Sequence, residues 1–255
     1  MLDQKKIIKK IESKLKLIGL SKGDNIFCHS RLSLFSFINQ KNIKKVSQAF
    51  FKAFINVIGK EGTIAIPTFS YSFSNSKNYD PKNTPSNCGA FTEYLRTKKD
   101  FITYPDPNVS VSIYGKNAKW LSKYENKNAY GKNSFFDKFD KLNGKILNIS
   151  LGPTSTFIHY YERQYGIDYR YDKKFFGYIK KNGKLKREYS TIFVRKKKNY
   201  YTQDIRQFEK EYILSGKYKV INYDNGFFGF TDLKSYKKFI FKKLSKNKNY
   251  LIKKK

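Results

Sequence analysis

The chain has 255 residues and carries 53 Lys and Arg against 20 Asp and Glu, a formal net charge of +33. Apolar residues make up 39% and aromatic residues 18%, which excludes a disordered or collagen-like chain and supports a large core. Two cysteines and two histidines are too few for a disulfide scaffold or a Cys/His zinc framework, so we expect no metal. No apolar run reaches the roughly 18–20 residues of a membrane span, and no signal-peptide core is present, so we expect a cytoplasmic protein.

The positive charge comes mainly from lysine. Seven of the 53 basic residues are arginine, and the lysines are spread along the whole chain. Because arginine is preferred for bidentate contacts with phosphates and bases, scattered lysine indicates compositional bias and not a nucleic-acid surface. A non-catalytic basic RNA-associated protein, whose aromatic residues stack on bases, stays the alternative from another functional class.

The first 70 residues alternate between helix and strand. Apolar spacing predicts helices over 4–18 and 41–58, and Gly19 ends the first of them. Short apolar runs predict strands over 25–28 and 62–66. This order is typical of an α/β fold with a helix-covered sheet.

The later elements are shorter, and a polar loop over 70–88 precedes them. A hairpin is predicted over 176–194 with its turn at Asn182 and Gly183, and Thr231 is expected to cap the last helix. The other predicted elements are helices over 89–97, 135–142, 154–165, 203–214 and 232–244 and strands over 109–114, 145–151 and 218–223.

We find no internal repeat and no linker, which favours one integrated domain over residues 1–255. The predicted fold class is α/β, a single domain with a mixed sheet flanked by helices. Residues 246–255 form a Lys-rich tail that we expect to fray.

His159 and Glu162 are three residues apart in a predicted helix, which places them on one face. A carboxylate beside an imidazole fixes its tautomer and stabilises the imidazolium, the arrangement of an oriented general base. A surface histidine in a helical ion pair gives the same spacing, so both interpretations stay open.

Polar residues also follow the first two strands. His29 and Ser30 could hold a phosphate or an amide-bearing ligand there, and the Thr68 hydroxyl could donate to a developing oxyanion. Thr68 is equally well explained as a strand-end turn residue. Cys28 points away from His29 along a strand, so we expect a buried core thiol and not a nucleophile. Glycine-rich dinucleotide, P-loop and nucleophile-elbow motifs are absent.

Several short motifs occur in a characteristic order within residues 17–163. They are Gly19-Leu20 with Gly23-Asp24 and His29-Ser30-Arg31-Leu32, then Gly59 with Gly62-Thr63 and Pro67-Thr68-Phe69, Thr92-Glu93 with Arg96, Asp106-Pro107 with Ser110, Gly131 with Ser134 and Lys138, Gly144-Lys145, and the segment 156–162. In this order and spacing they resemble the aminoglycoside 3-N-acetyltransferase (antibiotic N-acetyltransferase) family.

The resemblance implies that acetyl-CoA, as co-substrate, gives its acetyl group to an amine of an aminoglycoside or amino sugar. It makes His159 the general base, Glu162 the residue that orients it, and Thr68 the donor to the thioester oxygen. It also implies a set of residues on the coenzyme side, namely His29, Ser30, Arg31, Leu32, Ser33 and Ser110. A homodimer is compatible with the resemblance.

The chain departs from the family pattern at Asp106, where the family usually has His, and at Arg31, where it has Ser. These departures leave room for a member that binds without catalysing transfer, although Thr68, His159 and Glu162 are kept. The region after residue 163 matches the family poorly, and we expect its part 164–200 and the loop 70–88 to shape the acceptor side.

Aminoglycosides are polycations, and a chain of charge +33 repels them. The charge therefore favours an anionic acceptor, such as a nucleotide-linked amino sugar or a glycan precursor. Asp168, Asp172 and Glu188 could still form a small negative pocket.

Overall fold

The computed structural model describes residues 3–39, 41–196 and 201–254. Their strands are β1 (Asn25–Ser30), β2 (Thr63–Pro67), β3 (Ile102–Tyr104), β4 (Val111–Gly115), β5 (Lys145–Ile149), β6 (Arg170–Lys181), β7 (Lys184–Arg195), β8 (Tyr201–Gln203), β9 (Lys219–Tyr223), β10 (Gly226–Asp232) and β11 (Ile252–Lys254). Their α-helices are α1 (Gln4–Ile18), α2 (Ile43–Ile58), α3 (Ala90–Arg96), α4 (Ala118–Leu121), α5 (Phe135–Lys141), α6 (Phe157–Tyr165), α7 (Arg206–Leu214) and α8 (Leu233–Lys246). None of these described helices is long and apolar enough to cross a membrane.

Seven strands form one mixed sheet in the order β3-β4-β2-β1-β5-β10-β9. The central strands β2, β1 and β5 run parallel, while β4 and β10 pair antiparallel on either side. The α/β prediction with a mixed sheet flanked by helices is therefore confirmed. Because β2 and β5 lie on opposite sides of β1, the order reverses there, and ligands of such sheets bind beyond the carboxyl ends of the strands at this point.

Helices cover both faces of the sheet because apolar residues alternate along its strands. Ile26 and Cys28 face the core shared with α1 and α2, whereas Phe27 faces the aromatic core built with α5 and α6. Cys28 is fully buried, and burial raises the pKa of its thiol, as expected of a core cysteine.

The sequence analysis missed β3, β8, β10, β11 and α4, and it misplaced one helix cap. Asp232, not Thr231, caps α8, because its carboxylate accepts a hydrogen bond from the Ser235 amide at 2.7 Å. Thr231 lies in β10, where its hydroxyl bonds the Tyr212 hydroxyl at 2.6 Å. The stretch before the cap is rich in aromatic residues and glycine without clear alternation, so it gave no strand signal.

The hairpin β6–β7 turns at Asn182 and Gly183 as predicted, and both have positive φ, 51° and 80°. It begins earlier than predicted, because Arg170 already pairs with Arg195 across the strands. Most of the residues at the start of β6 are charged and exposed, so the sequence shows no alternation of apolar and polar residues there. The longer hairpin brings Arg170, at its open end, to the Glu162 carboxylate of α6.

The prediction that the C-terminal tail frays is wrong for its described part. Tyr250 and Leu251 are buried, and β11 pairs antiparallel with β8. Lysine dominates the composition of the tail and hid its apolar core residues. Residue 255 of that tail, like residues 1–2 and 40 of the predicted domain, lies outside the described residues.

Replacing Leu251 by Ala should lower the free energy of unfolding by about 2–5 kcal/mol, because the side chain is fully buried. Leu214→Ala is the matched control, since Leu214 is 75% exposed and its loss should cost less than about 0.5 kcal/mol. Urea unfolding measures both. Equal effects would mean that the tail is not part of the core.

Candidate active site

The polar residues singled out in the sequence meet at one edge of the sheet. His29 and Ser30 end β1, and Thr68 directly follows β2. The loop after β5 leads into α6, which carries His159. Since these three strands are parallel, their carboxyl ends lie side by side, and the sheet itself gathers the residues.

The partly exposed His159 and the buried Glu162 form a pair on α6. His159 Nδ1 lies 2.7 Å from Glu162 Oε2, and Glu162 is fully buried. The Tyr169 hydroxyl donates to Glu162 Oε1 at 2.6 Å, and Arg170 Nε lies 2.9 Å from Oε2 as an ion pair. A surface ion pair would leave the carboxylate in water, so its burial favours an oriented imidazole.

The charges in this group favour a neutral imidazole above an ionised carboxylate. Burial and the positive Arg170 lower the pKa of His159, although Glu162 opposes them. Burial raises the pKa of Glu162, but the hydrogen bond from His159 and the charge of Arg170 outweigh it and hold that pKa below its ordinary value. With Nδ1 donating to Glu162, Nε2 keeps a lone pair that can accept a proton.

His29 lies beside this group. Its Nε2 is 3.2 Å from the Ser155 hydroxyl, and burial lowers its pKa to about 4. His29, Thr156 and His159 share the wall of a cavity of about 300 Å³. Both histidines of the chain therefore meet at this cavity.

Thr68 is buried against Ser110. The Thr68 hydroxyl donates to the Ser110 hydroxyl at 3.3 Å, and Ser110 donates to the Thr68 carbonyl at 2.6 Å. Ser110, which the resemblance assigned to the coenzyme side, thus contacts Thr68. The neighbouring Phe69 lines the same cavity as His159.

The β1 cavity, lined by Ser30, Arg31, Leu32, Ser33 and the start of α3, has a volume of about 520 Å³. Ile38, Phe91 and Leu151 add apolar walls. Four of the six residues assigned to the coenzyme side line this cavity, and His29 directly precedes them in the chain. A groove with apolar walls and a few hydroxyl groups suits a long chain that contains amide bonds.

A separate cavity, called the His159 cavity below, is lined by His159, Tyr71, Tyr130, Arg170 and Arg195 and has a volume of about 290 Å³. Tyr71 has a positive φ of 52°, which is rare for a bulky residue and is found where a site imposes it. Tyr71 comes from the 70–88 loop, and Arg170 and Arg195 come from the two strands of the hairpin.

The three acids expected near the acceptor are placed elsewhere. Asp168 is exposed, Asp172 accepts from Arg163 at 2.9 Å, and Glu188 pairs with Lys127. In the described ranges, no carboxylate residue lines the His159 cavity. The negative pocket that these residues could have formed is therefore not found.

Asp106, which stands where the family has His, is fully buried and links the β3–β4 connection to the hairpin. It accepts hydrogen bonds from the Val109 amide at 2.9 Å, the Ser190 hydroxyl at 3.0 Å and the Tyr124 hydroxyl at 3.2 Å. Burial raises its pKa, and these donors only partly offset the effect. Asp106 thus anchors the hairpin through polar contacts.

Sequence reasoning missed the residues that complete the site, namely Ser155, Tyr169, Arg170 and Arg195. One available signal was arginine itself, because four of the seven arginines fall between residues 163 and 195. Within the described ranges there is no cluster of three or more His, Cys, Asp or Glu side chains that could hold a metal ion.

Comparison with solved structures shows the same fold. The crystal structure of aminoglycoside acetyltransferase AAC(3)-Xa matches with a TM-score of 0.81 at 17% identity, covering 98% of both chains. AAC-VIa bound to sisomicin matches at 0.81 and 20% identity, covering 94% of this chain and 97% of that one. AAC-IIIb in a binary complex with CoASH matches at 0.77 and 18% identity, covering 94% and 96%.

A search of curated proteins finds no match. The family model described as aminoglycoside 3-N-acetyltransferase matches residues 27–227, a range that includes the three cavities and the His159–Glu162 pair. The chain therefore belongs to the aminoglycoside 3-N-acetyltransferase family, a family of acyltransferases.

Proposed function

We propose that the protein transfers acetyl from acetyl-CoA to an amino group of an aminoglycoside or amino sugar, with His159 as general base. The observation that carries this proposal is the buried Glu162 carboxylate 2.7 Å from His159 Nδ1. Because that contact occupies Nδ1, Nε2 is the atom that takes the proton from the attacking amine. Glu162 then stabilises the imidazolium that forms.

Thr68 is the proposed donor to the oxygen on which negative charge develops. Acetyl-CoA supplies an acetyl group already activated as a thioester, so a positioned amine can attack it without a covalent enzyme intermediate. The buried Cys28 thiol faces the opposite side of the sheet and takes no part. The Thr68 hydroxyl, which lies 3.3 Å from the Ser110 hydroxyl in this structure, would turn away from Ser110 and toward the substrate.

The β1 cavity is the proposed coenzyme site. Ser30, Leu32 and Ser33 would contact the pantetheine chain, and the exposed Arg31 would meet phosphate groups. His29 precedes Ser30 in β1 and lines one cavity together with His159, where the thioester must come to react. The relative AAC-IIIb was solved with CoASH, which supports a coenzyme site on this fold.

The His159 cavity is the proposed acceptor site. Its walls include Tyr71 from the 70–88 loop and residues 192–195 of the hairpin, which supports the assignment of 70–88 and 164–200 to the acceptor side. Residues 197–200 of that second segment lie outside the described residues. Aromatic side chains such as Tyr71 and Tyr130 suit the apolar face of a sugar ring.

His159→Asn should lower kcat by about 10²–10⁴-fold, because the proton of the amine loses its acceptor. Acetyl-CoA binding, measured by calorimetry, should be unchanged. The rate of acetyl transfer is measured from the release of the CoA thiol, with an amine in excess. Unchanged kcat would contradict the proposal.

His29→Asn is the matched histidine control. Because His29 lies on the coenzyme side, this change should raise KM for acetyl-CoA more than it lowers kcat. If His29 and His159 gave the same loss of kcat, the proposed division of roles would be wrong.

Thr68→Val should lower kcat by about 10²–10³-fold, since it removes one donor to the developing oxyanion without changing side-chain volume much. Thr68→Ser keeps the hydroxyl and should stay within about tenfold of the wild type. Equal activity of the Val and Ser variants would exclude Thr68 as the donor.

Calorimetry with tripolyphosphate as competitor separates the coenzyme site from non-specific attraction to the basic surface. At about 0.15 M salt we expect one-to-one acetyl-CoA binding that tripolyphosphate barely displaces, because the β1 cavity binds the uncharged chain. Binding erased by tripolyphosphate or by added salt would instead favour the RNA-associated alternative.

A further inference from the structure

The His159 cavity has the wrong charge for a polycationic acceptor. Two arginines line it, Arg170 and Arg195, and no acidic side chain of the described ranges does. The nearby acids are held by other partners, as Asp172 is by Arg163 and Glu188 by Lys127. A polycationic amine would meet positive charge at this wall and no carboxylate.

The two arginines stand directly opposite each other in the hairpin, with their side chains on the same face. The Glu162 carboxylate lies 2.9 Å from Arg170 Nε, and the two form an ion pair. Like charges opposite each other destabilise a strand pair by themselves. The positive charge of Arg195 also reaches the imidazole, because it helps to lower the pKa of His159.

The residue type points the same way. Lysine outnumbers arginine several-fold in this chain, so compositional bias would place lysine here. Arginine instead presents a planar set of donors that matches the two oxygens of a carboxylate or phosphate. Arg195 is half-buried at the cavity wall, where that geometry can be used.

We propose that the acceptor amine also carries a carboxylate or phosphate group, and that Arg195 binds this group and determines acceptor specificity. The inference rests on the proposed function, since it names the class of acceptor for the same site. The aromatic walls formed by Tyr71 and Tyr130 would then hold the body of the acceptor, with its amine at His159.

The test compares three amines as acceptors, namely glucosamine 6-phosphate, muramic acid and glucosamine, which carry a phosphate, a carboxylate and no anionic group. The wild type should favour at least one of the two anionic amines over glucosamine by about tenfold or more in kcat/KM. Which of the two is favoured identifies the anionic group. A preference for glucosamine, or for the polycation sisomicin, would overturn the inference.

Arg195→Gln should remove this preference, because KM for the anionic amine should rise at least about tenfold more than KM for glucosamine. Arg195→Lys should keep part of the preference. Arg187→Gln is the matched control, because Arg187 is an exposed arginine on the same strand. An equal loss for all three amines in Arg195→Gln would show a structural role and overturn the inference.

The two proposals fail in different ways. If sisomicin or glucosamine is acetylated efficiently and the anionic amines are not, transfer by His159 stands and the role of Arg195 falls. If the wild type binds acetyl-CoA but acetylates none of the amines, the proposed function falls, and this inference falls with it.

Discussion

The buried carboxylate of Glu162 is the constraint on which the site depends. A charge removed from water is tolerated only when partners surround it, and here they come from two elements, His159 on α6 and Tyr169 with Arg170 at the start of the hairpin. The helix and the hairpin must therefore dock together. Removing one partner of such a pair lowers the free energy of unfolding by about 3–5 kcal/mol. The pair therefore fixes the imidazole relative to the cavity wall.

The sheet supplies the second half of the arrangement. Because β1, β2 and β5 run parallel, residues far apart in sequence reach one edge, with His29, Thr68 and His159 around it. The reversal of strand order at β1 leaves room there for the β1 cavity on one side and the His159 cavity on the other. The basic surface adds a general attraction for anions, and the coenzyme carries several phosphate charges.

The sequence patterns predicted the features that depend on residues close together in the chain. The spacing of His159 and Glu162 was sufficient because one helix holds both, and the turn at Asn182 and Gly183 was sufficient because its backbone requires positive φ. Tyr169 and Arg170 could not be predicted, since tertiary docking brings them to Glu162. The burial of Leu251 in the Lys-rich tail could not be predicted either, because it depends on packing against other elements and not on local composition.

Nuclear magnetic resonance of the two imidazoles tests most directly whether Glu162 holds His159 as a base. We expect an Nδ1-protonated tautomer at His159 and a titration below pH 6.5, with His29 titrating near pH 4 as an internal reference. In Glu162→Gln, loss of the negative charge should lower the pKa of His159 further and leave His29 unchanged. An Nε2-protonated tautomer at His159, or a titration that does not respond to Glu162→Gln, would contradict the account.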